Sequence, residues 1–202
     1  MSVPITSIDM KELGKSGHFP SNGILFVGGY GAGTGTDALG FELHDGKKLE
    51  DDLTVISPNS LYIRGDYNKD GKKSAAVIAD AINLLSNDWD NSKGPGDLPG
   101  AKDTTYNMSV VTGDVEEVGG KLQGTAMNVL RRHEDWTGDK EKINGSIATL
   151  FRSQYATGDF QVGGDYYRPP KREWEFDEDL ADIANMPPST PMSVEVTDVV
   201  AW

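Results

Sequence analysis

The sequence predicts an all-β fold: a partial right-handed, solenoid-like β-helix with one main helix and a C-terminal tail that wraps the strands. Glycine accounts for 24 of the 202 residues, well above the average of about 7%. Without a collagen-like period, so much glycine is typical of a chain with many turns. Short apolar runs recur between clusters of Gly, Pro, Asn and Asp, as expected of strands joined by turns. Their spacing is too irregular for a strict repeat protein, and a β-sandwich is the alternative architecture.

The length of the chain suits a single domain. We expect one β-rich ectodomain over residues 1–202, in three parts. They are the initial strands (1–52), a solenoid core with an inserted loop and helix (53–157), and an aromatic and proline-rich tail (158–202).

The glycine-rich stretch at residues 28–35 follows an apolar run at residues 24–27. A dinucleotide-binding fingerprint needs a helix directly after its glycines. Here the alternating residues 38–43 predict another strand instead, ending at the turn Asp45-Gly46. The stretch is therefore interpreted as a turn between strands.

Two apolar runs, residues 53–56 and 61–64, predict two short strands. The segment between them contains Pro58 and offers no two-residue hairpin turn, so we expect a corner there. Residues 75–85 fit both a helical face and strand alternation, and periodicity alone does not decide between them. Residues 87–102 are rich in Asp, Gly and Pro and predict a long surface loop.

Residues 125–136 predict the main helix, because Thr125 can cap it and Gly138 lies just past its end. On that helix, Arg131 and Arg132 are expected to pair with surface carboxylates such as Glu134 or Asp135.

Charge excludes several classes of partner. With 32 acidic and 19 basic residues, the formal charge is −13, which disfavours nucleic acid and anionic membranes. The absence of cysteine excludes disulfides, thiolate metal sites and cysteine nucleophiles. No apolar run reaches the ~20 residues needed to cross a bilayer, and no signal-peptide pattern opens the chain. If the chain is exported, we expect its export segment to have been removed ahead of Met1.

The sharpest local motif is Asp66-x-Asn68-x-Asp70-Gly71, which matches the first half of a calcium-binding loop. The twelfth position of an EF-hand is Val77, so the bidentate glutamate is missing and a complete EF-hand is excluded. The hypothesis is a looser Ca²⁺ site, completed by Asp80, Asp88 or backbone carbonyls. The alternative is an ordinary solvated turn.

A second cluster, Asp88, Trp89 and Asp90, offers carboxylates beside an aromatic ring. It is a candidate ligand-binding site, for a cation or for a sugar. Two neighbouring carboxylates on one loop give no reason to expect the facing pair of a glycosidase. His18, His44 and His133 form no spaced ligand pair, and no nucleophile elbow occurs, so no catalytic residue is assigned.

Six ordered segments resemble a known family. They are LTVISPNSLYIRGDYN (53–68), SAAVIADAINLLSNDW (74–89), HEDW (133–136), NGSIATLFRSQYATG (144–158), YRPPKREWEFD (167–177) and MPPSTP (186–191). Together they are similar to the C-terminal domain of PilX-like type IV pilus assembly proteins and other prepilin-type bacterial surface proteins. The resemblance covers about residues 53–191. Full chains of that family usually begin with a hydrophobic pilin-like helix, which this sequence lacks.

The resemblance implies an exported β-helical module in which residues 75–85 are a strand, with Gly65, Gly113 and Gly145 at corners that admit only a small residue. It implies a non-enzymatic structural or adhesive role at the bacterial cell surface, in a type IV pilus or a related self-assembling filament. The expected partners are other copies of the chain or pilus subunits, with surface glycans as a further candidate. The alternative function is a carbohydrate-binding or polysaccharide-cleaving β-helix domain.

Overall fold

The computed structural model describes residues 4–29, 39–93, 97–115, 128–157, 160 and 166–190. These residues contain eleven strands, one α-helix and two 3₁₀ turns. The strands are β1 (Ile5–Asp9), β2 (Ile24–Phe26), β3 (Gly40–His44), β4 (Leu53–Arg64), β5 (Ala75–Leu85), β6 (Thr104–Asn107), β7 (Ser109–Asp114), β8 (Leu130–Arg132), β9 (Lys140–Gly145), β10 (Ile147–Arg152) and β11 (Lys171–Phe176). The helix is α1 (Met10–Lys15), and the 3₁₀ turns are Glu178–Ala181 and Ile183–Asn185.

The strands form two parallel sheets. The large sheet has eight strands in the order β1-β3-β4-β5-β7-β10, with β2 beside β4 and β8 beside β5; the small sheet has the order β11-β9-β6. All pairings between these strands are parallel. Extensive parallel pairing is typical of α/β proteins, although the described residues contain few helices.

The predicted partial β-helix is therefore wrong, and so is the β-sandwich alternative. A sandwich pairs its strands antiparallel, whereas here the pairing is parallel and eight of the eleven strands share one sheet. The error begins at Pro58, where a corner was expected. Residues 53–64 form the single twelve-residue strand β4, so the chain does not turn where the predicted coil required it to.

Strand β4 passes Pro58 through a β-bulge. Ser57 lies opposite Ala79 of β5 and Ser60 lies opposite Ala81, so β4 carries one extra residue between the two pairs. Because a bulge leaves a residue outside the ladder, it accepts a proline that has no N–H to donate.

Strand β5 settles the ambiguity of residues 75–85 in favour of a strand. Ten of its eleven residues are buried, Ile78 being half-buried. A strand covered on both faces does not alternate polar with apolar side chains, and the two polar residues of β5, Asp80 and Asn83, are themselves buried. That double burial explains why sequence periodicity was indecisive here.

The predicted main helix at 125–136 is wrong. Residues 125–127 lie outside the described residues, and Leu130–Arg132 is strand β8, paired with β5. Leu130 and Arg132 are both fully buried while Arg131 between them is partly exposed, which is strand alternation. The α-helix that the described residues do contain is α1, whose first turn is capped by the Asp9 side chain accepting from the Glu12 N–H.

The core lies between the large and small sheets. Inward residues of β4, β5 and β7 pack against Tyr106 of β6 and Ile143 of β9. The close packing leaves no room at two of the glycines expected at corners. A Cβ at Gly145 would lie 2.0 Å from the carbonyl oxygen of Met108, and one at Gly113 would lie 2.7 Å from that of Asp80.

Residues 177–190, here called the C-terminal strap, cross the beginnings of β4 and β5. The Lys72 ammonium pairs with Asp177 at 2.8 Å and with Asp179 at 2.6 Å. The Ser74 hydroxyl donates to the Asn185 carbonyl at 2.7 Å, and the Thr54 hydroxyl donates to the Pro188 carbonyl. The strap therefore ties the last strand back to the first part of the large sheet.

Candidate functional site

The side chains of the predicted calcium loop form hydrogen bonds and ion pairs with other groups of the protein. The Asp66 carboxylate accepts from the Thr105 N–H and from the Lys69 ammonium, each at 2.8 Å. Asn68 is fully buried, and its oxygen accepts from the Lys73 N–H at 2.9 Å. Asp70 lies 3.1 Å from the Lys47 ammonium. A cation would have to displace these donors, and the Ca²⁺ site stays a prediction.

The two side chains proposed to complete that site have other partners. Asp80 is buried, and its carboxylate accepts from the Ser153 hydroxyl at 2.7 Å and from the Gln154 N–H at 2.6 Å. Asp88 is exposed and lies 3.4 Å from the Lys102 ammonium. Asp80 thus caps the turn after β10.

The residues Asp88, Trp89 and Asp90 do not form a facing pair across a cleft. Asp90 accepts from the Ser92 N–H at 2.8 Å within its own turn. The Trp89 ring is half-buried, donates its N–H to Asn91 at 2.7 Å, and packs 6.5 Å from the His133 ring. Ligand binding by this cluster stays a prediction.

A row of polar side chains lies across the large sheet beside that loop. Glu42, Tyr62, Asn83 and Arg131 occupy the same register position on β3, β4, β5 and β8. The His133 Nε2 lies 2.8 Å from the Asn83 side-chain oxygen. Burial, and to a smaller extent Arg131, lowers the pKa of His133 to about 4, so the ring is neutral at physiological pH.

Arg132 is buried, contrary to the expected surface pairing. It forms a bidentate ion pair with Glu141, both bonds 2.6 Å long and both side chains fully buried. The Trp174 N–H donates to the same carboxylate at 2.9 Å. These bonds satisfy the buried charges, as a buried ion pair requires, and make this an internal structural element.

Glu134 is likewise buried rather than a surface partner for arginine. Its carboxylate accepts from the Ser86 N–H at 2.7 Å and from the Ser86 hydroxyl at 2.5 Å. Burial raises the pKa of Glu134 to about 7, because the hydrogen bonds from Ser86 only partly offset the cost of desolvating the charge.

One cluster that the sequence did not reveal joins Asp9, His44 and Asp45, whose ligand atoms lie within 4.8 Å of one another. Asp9 and His44 are partners in the β1–β3 pair. An Asp9 oxygen already caps α1, and the His44 Nδ1 lies 2.7 Å from Asp45. These local bonds account for the cluster without a metal.

Strand β10, the last strand of the large sheet, differs from the buried polar groups described above, which have hydrogen-bond or ion-pair partners within the protein. Among the described strands its one neighbour is β7. Its last four residues are exposed, with Leu150 at 72% and Phe151 at 43%. A sheet edge with exposed apolar side chains is a template for pairing with another strand.

The course of the described part of the chain leaves this edge open. Strand β11 lies beside β9, and its last residue, Phe176, is opposite Gly145, two residues before β10 begins. A chain that continued straight on would run along β10. Instead, the strap turns away to Lys72, leaving Phe176 62% exposed at the same end.

A β-bulge limits how much of β10 can pair. Thr149 lies opposite Thr112 and Phe151 lies opposite Gly113, so Leu150 is the extra residue. Bulges are one of the devices that restrict pairing at an edge. Here the regular part of the strand is Ile147–Thr149.

Comparisons with known proteins give no relative. No family model matches the sequence, and neither the curated proteins nor the solved structures contain a significant match. The resemblance to PilX-like domains therefore stays a prediction, as do the extracellular location and the partners it implies. No helix in the described part of the chain is long and apolar enough to span a membrane.

Sequence reasoning did not identify this open edge. The apolar residues Ile147, Leu150 and Phe151 mark a strand in the sequence. Whether a strand has one neighbour or two depends on the path of residues far away in the chain, here the strap.

Proposed function

We propose that this chain is a non-enzymatic structural module that associates with further copies of itself by strand addition at β10. A surface location and an adhesive or pilus-related assembly fit this role. The observation that carries the proposal is the outer edge of β10, which pairs with no further described strand and has Leu150 and Phe151 exposed.

Strand addition would stabilise the contact through main-chain hydrogen bonds and through burial of apolar surface. An added strand satisfies the outward N–H and C=O groups of β10 through main-chain hydrogen bonds. Leu150 and Phe151 follow directly after the residues that can pair, and they are 72% and 43% exposed. Any part of their apolar surface that the partner covers adds to the binding energy, as a fraction of the roughly 1.5–3 kcal/mol for burying a fully exposed side chain of this size. Part of that gain offsets the loss of translational and rotational freedom on association.

A structural role also fits the state of the buried ionisable groups. In the described part of the chain, Arg132 and Glu141 neutralise one another, and Glu134 is held by Ser86. Such groups rigidify a fold, whereas catalytic groups face a cleft from which they can reach a substrate.

The test is light scattering after size exclusion, over a range of protein concentrations. We expect the mass of the wild-type chain to rise with concentration and Leu150→Glu to remain monomeric. The matched control is Ile183→Glu, which adds the same charge at a residue that is 66% exposed on the strap. A wild-type chain that is monomeric throughout, or equal loss of association in both variants, would contradict the proposal.

A further inference from the structure

A second open edge lies at the opposite end of the large sheet. Strand β2 pairs with β4 alone among the described strands, and Phe26 is 64% exposed. Both open strands belong to the same half of the sheet. A continuous row of partners runs from β2 to β10 through Leu25, Val55, Val77, Val110 and Ile147.

The two ends of the molecule differ in charge. Residues 1–52, which contain β1, β2, β3 and α1, hold eight acidic and four basic residues, a net charge of −4. Residues 140–176, which contain β9, β10 and β11, hold six basic and five acidic residues, a net charge of +1. This slightly positive stretch stands out in a chain whose formal charge is −13.

We infer that the strand added to β10 is β2 of the next copy, in a parallel, head-to-tail arrangement. This inference rests on the proposed function and names its partner surface. Parallel addition continues the direction of all strands in the sheet, and it brings the acidic end of one copy to the slightly positive end of another. Because the two surfaces differ, the contact is heterologous and repeats without closing unless a rotation forms a ring.

The lengths of the two edges agree. Continuing the existing row sets Leu25 of the next copy opposite Ile147, and Phe26 opposite Ala148. The bulge at Leu150 then ends regular pairing one residue beyond the end of β2. A twofold pairing of β10 with β10 is the competing arrangement, but it places two slightly positive ends together.

Cysteine cross-linking distinguishes these arrangements, because the native chain has no cysteine. Paired strands lie ~4.8 Å apart, within the Cα separation that a disulfide spans. We expect a mixture of Phe26→Cys and Ala148→Cys chains to form a disulfide-linked dimer under mild oxidation. The double variant should give a ladder of higher species on a non-reducing gel. The control pairs Phe26→Cys with Ile183→Cys, an exposed site on the strap, and should give no more disulfide-linked dimer than either variant alone.

The outcomes separate the inference from the proposed function. If the wild-type chain associates but Ala148→Cys cross-links with itself rather than with Phe26→Cys, head-to-tail pairing is wrong and strand addition at β10 stands. Association without the mixed cross-link also overturns the β2–β10 pairing. If the wild-type chain does not associate at any concentration, the proposed function itself fails.

Discussion

Strands β5 and β10 have similar apolar character but opposite surroundings. Ten of the eleven residues of β5 are buried, and it has β4 on one side and β7 and β8 on the other. Four of the six residues of β10 are exposed, and it has one neighbour in the described structure. Apolar residues in a central strand stabilise the fold, whereas those on an open edge are available to a partner.

The same contrast holds for charged residues. Glu141, on β9 of the small sheet, is fully buried against Arg132, while Glu173 on the neighbouring strand β11 pairs with Lys140 and Lys142 at the surface. The first pair depends on complete enclosure, and the second is open to solvent and salt.

The largest expected effect comes from breaking the enclosed pair. Glu141→Ala leaves the Arg132 charge buried without its counter-ion, and we expect a loss of about 3–5 kcal/mol in the free energy of unfolding. Glu173→Ala is the control and should cost at most about 1 kcal/mol. Urea denaturation measures both. Similar losses for the two variants would show that Glu141 is not enclosed.

The leucines test the contrast between strands directly. Leu84 of β5 is fully buried, and Leu84→Ala should cost about 2–5 kcal/mol of unfolding free energy. Leu150→Ala should change it by no more than about 0.5 kcal/mol in dilute solution, because that side chain is 72% exposed. A large loss for Leu150→Ala would mean that β10 is covered within a single chain.

A smaller effect depends on pH at Glu134. Because its pKa is about 7 in the folded chain against an ordinary value of 4.5, the folded state favours the protonated acid. The stabilisation from the protonated acid is fully present below pH 4.5 and is lost as the pH rises through 7. The free energy of unfolding should fall by up to about 3 kcal/mol over this range. Glu134→Gln cannot ionise, so its stability should exceed that of the wild type at pH 8 by more than at pH 5. Chemical denaturation at the two pH values measures the difference, and an equal difference at both would contradict the raised pKa.

The sequence predicted strand positions better than strand partners. The apolar runs at 53–56 and 61–64 lie in a strand, as do residues 24–26 of the run at 24–27. Residues 75–85, which periodicity left undecided, also form a strand. Parallel pairing between strands far apart in sequence leaves no short-range signal, and this is why the β-sandwich alternative was wrong. The β-helix prediction was wrong because β4 runs straight through the corner expected at Pro58. Residues 125–136 were wrongly predicted to be a helix for a related reason. Thr125 as a cap and Gly138 past the end are local signals, whereas the pairing of Leu130 with Ile82 is seen only in the folded chain.

The candidate site was less predictable than the fold. The motifs that looked functional, around Asp66 and Trp89, are engaged in local hydrogen bonds. The residues now proposed to act, Leu150 and Phe151, are common apolar residues within a strand. Their role depends on whether another part of the folded chain covers them. Residue type and spacing alone do not reveal that exposure.

The most direct test of the open edge is amide hydrogen exchange measured at low and high protein concentration. We expect the amides of β5 to be protected at both concentrations, and the outward-facing amides of Ile147–Thr149 to exchange quickly when dilute and slowly when concentrated. Concentration-dependent protection confined to β10 and β2 would support strand addition between copies. If β10 exchanges equally slowly at both concentrations, its edge is not open. If it exchanges equally fast at both, strand addition between copies at this edge is contradicted.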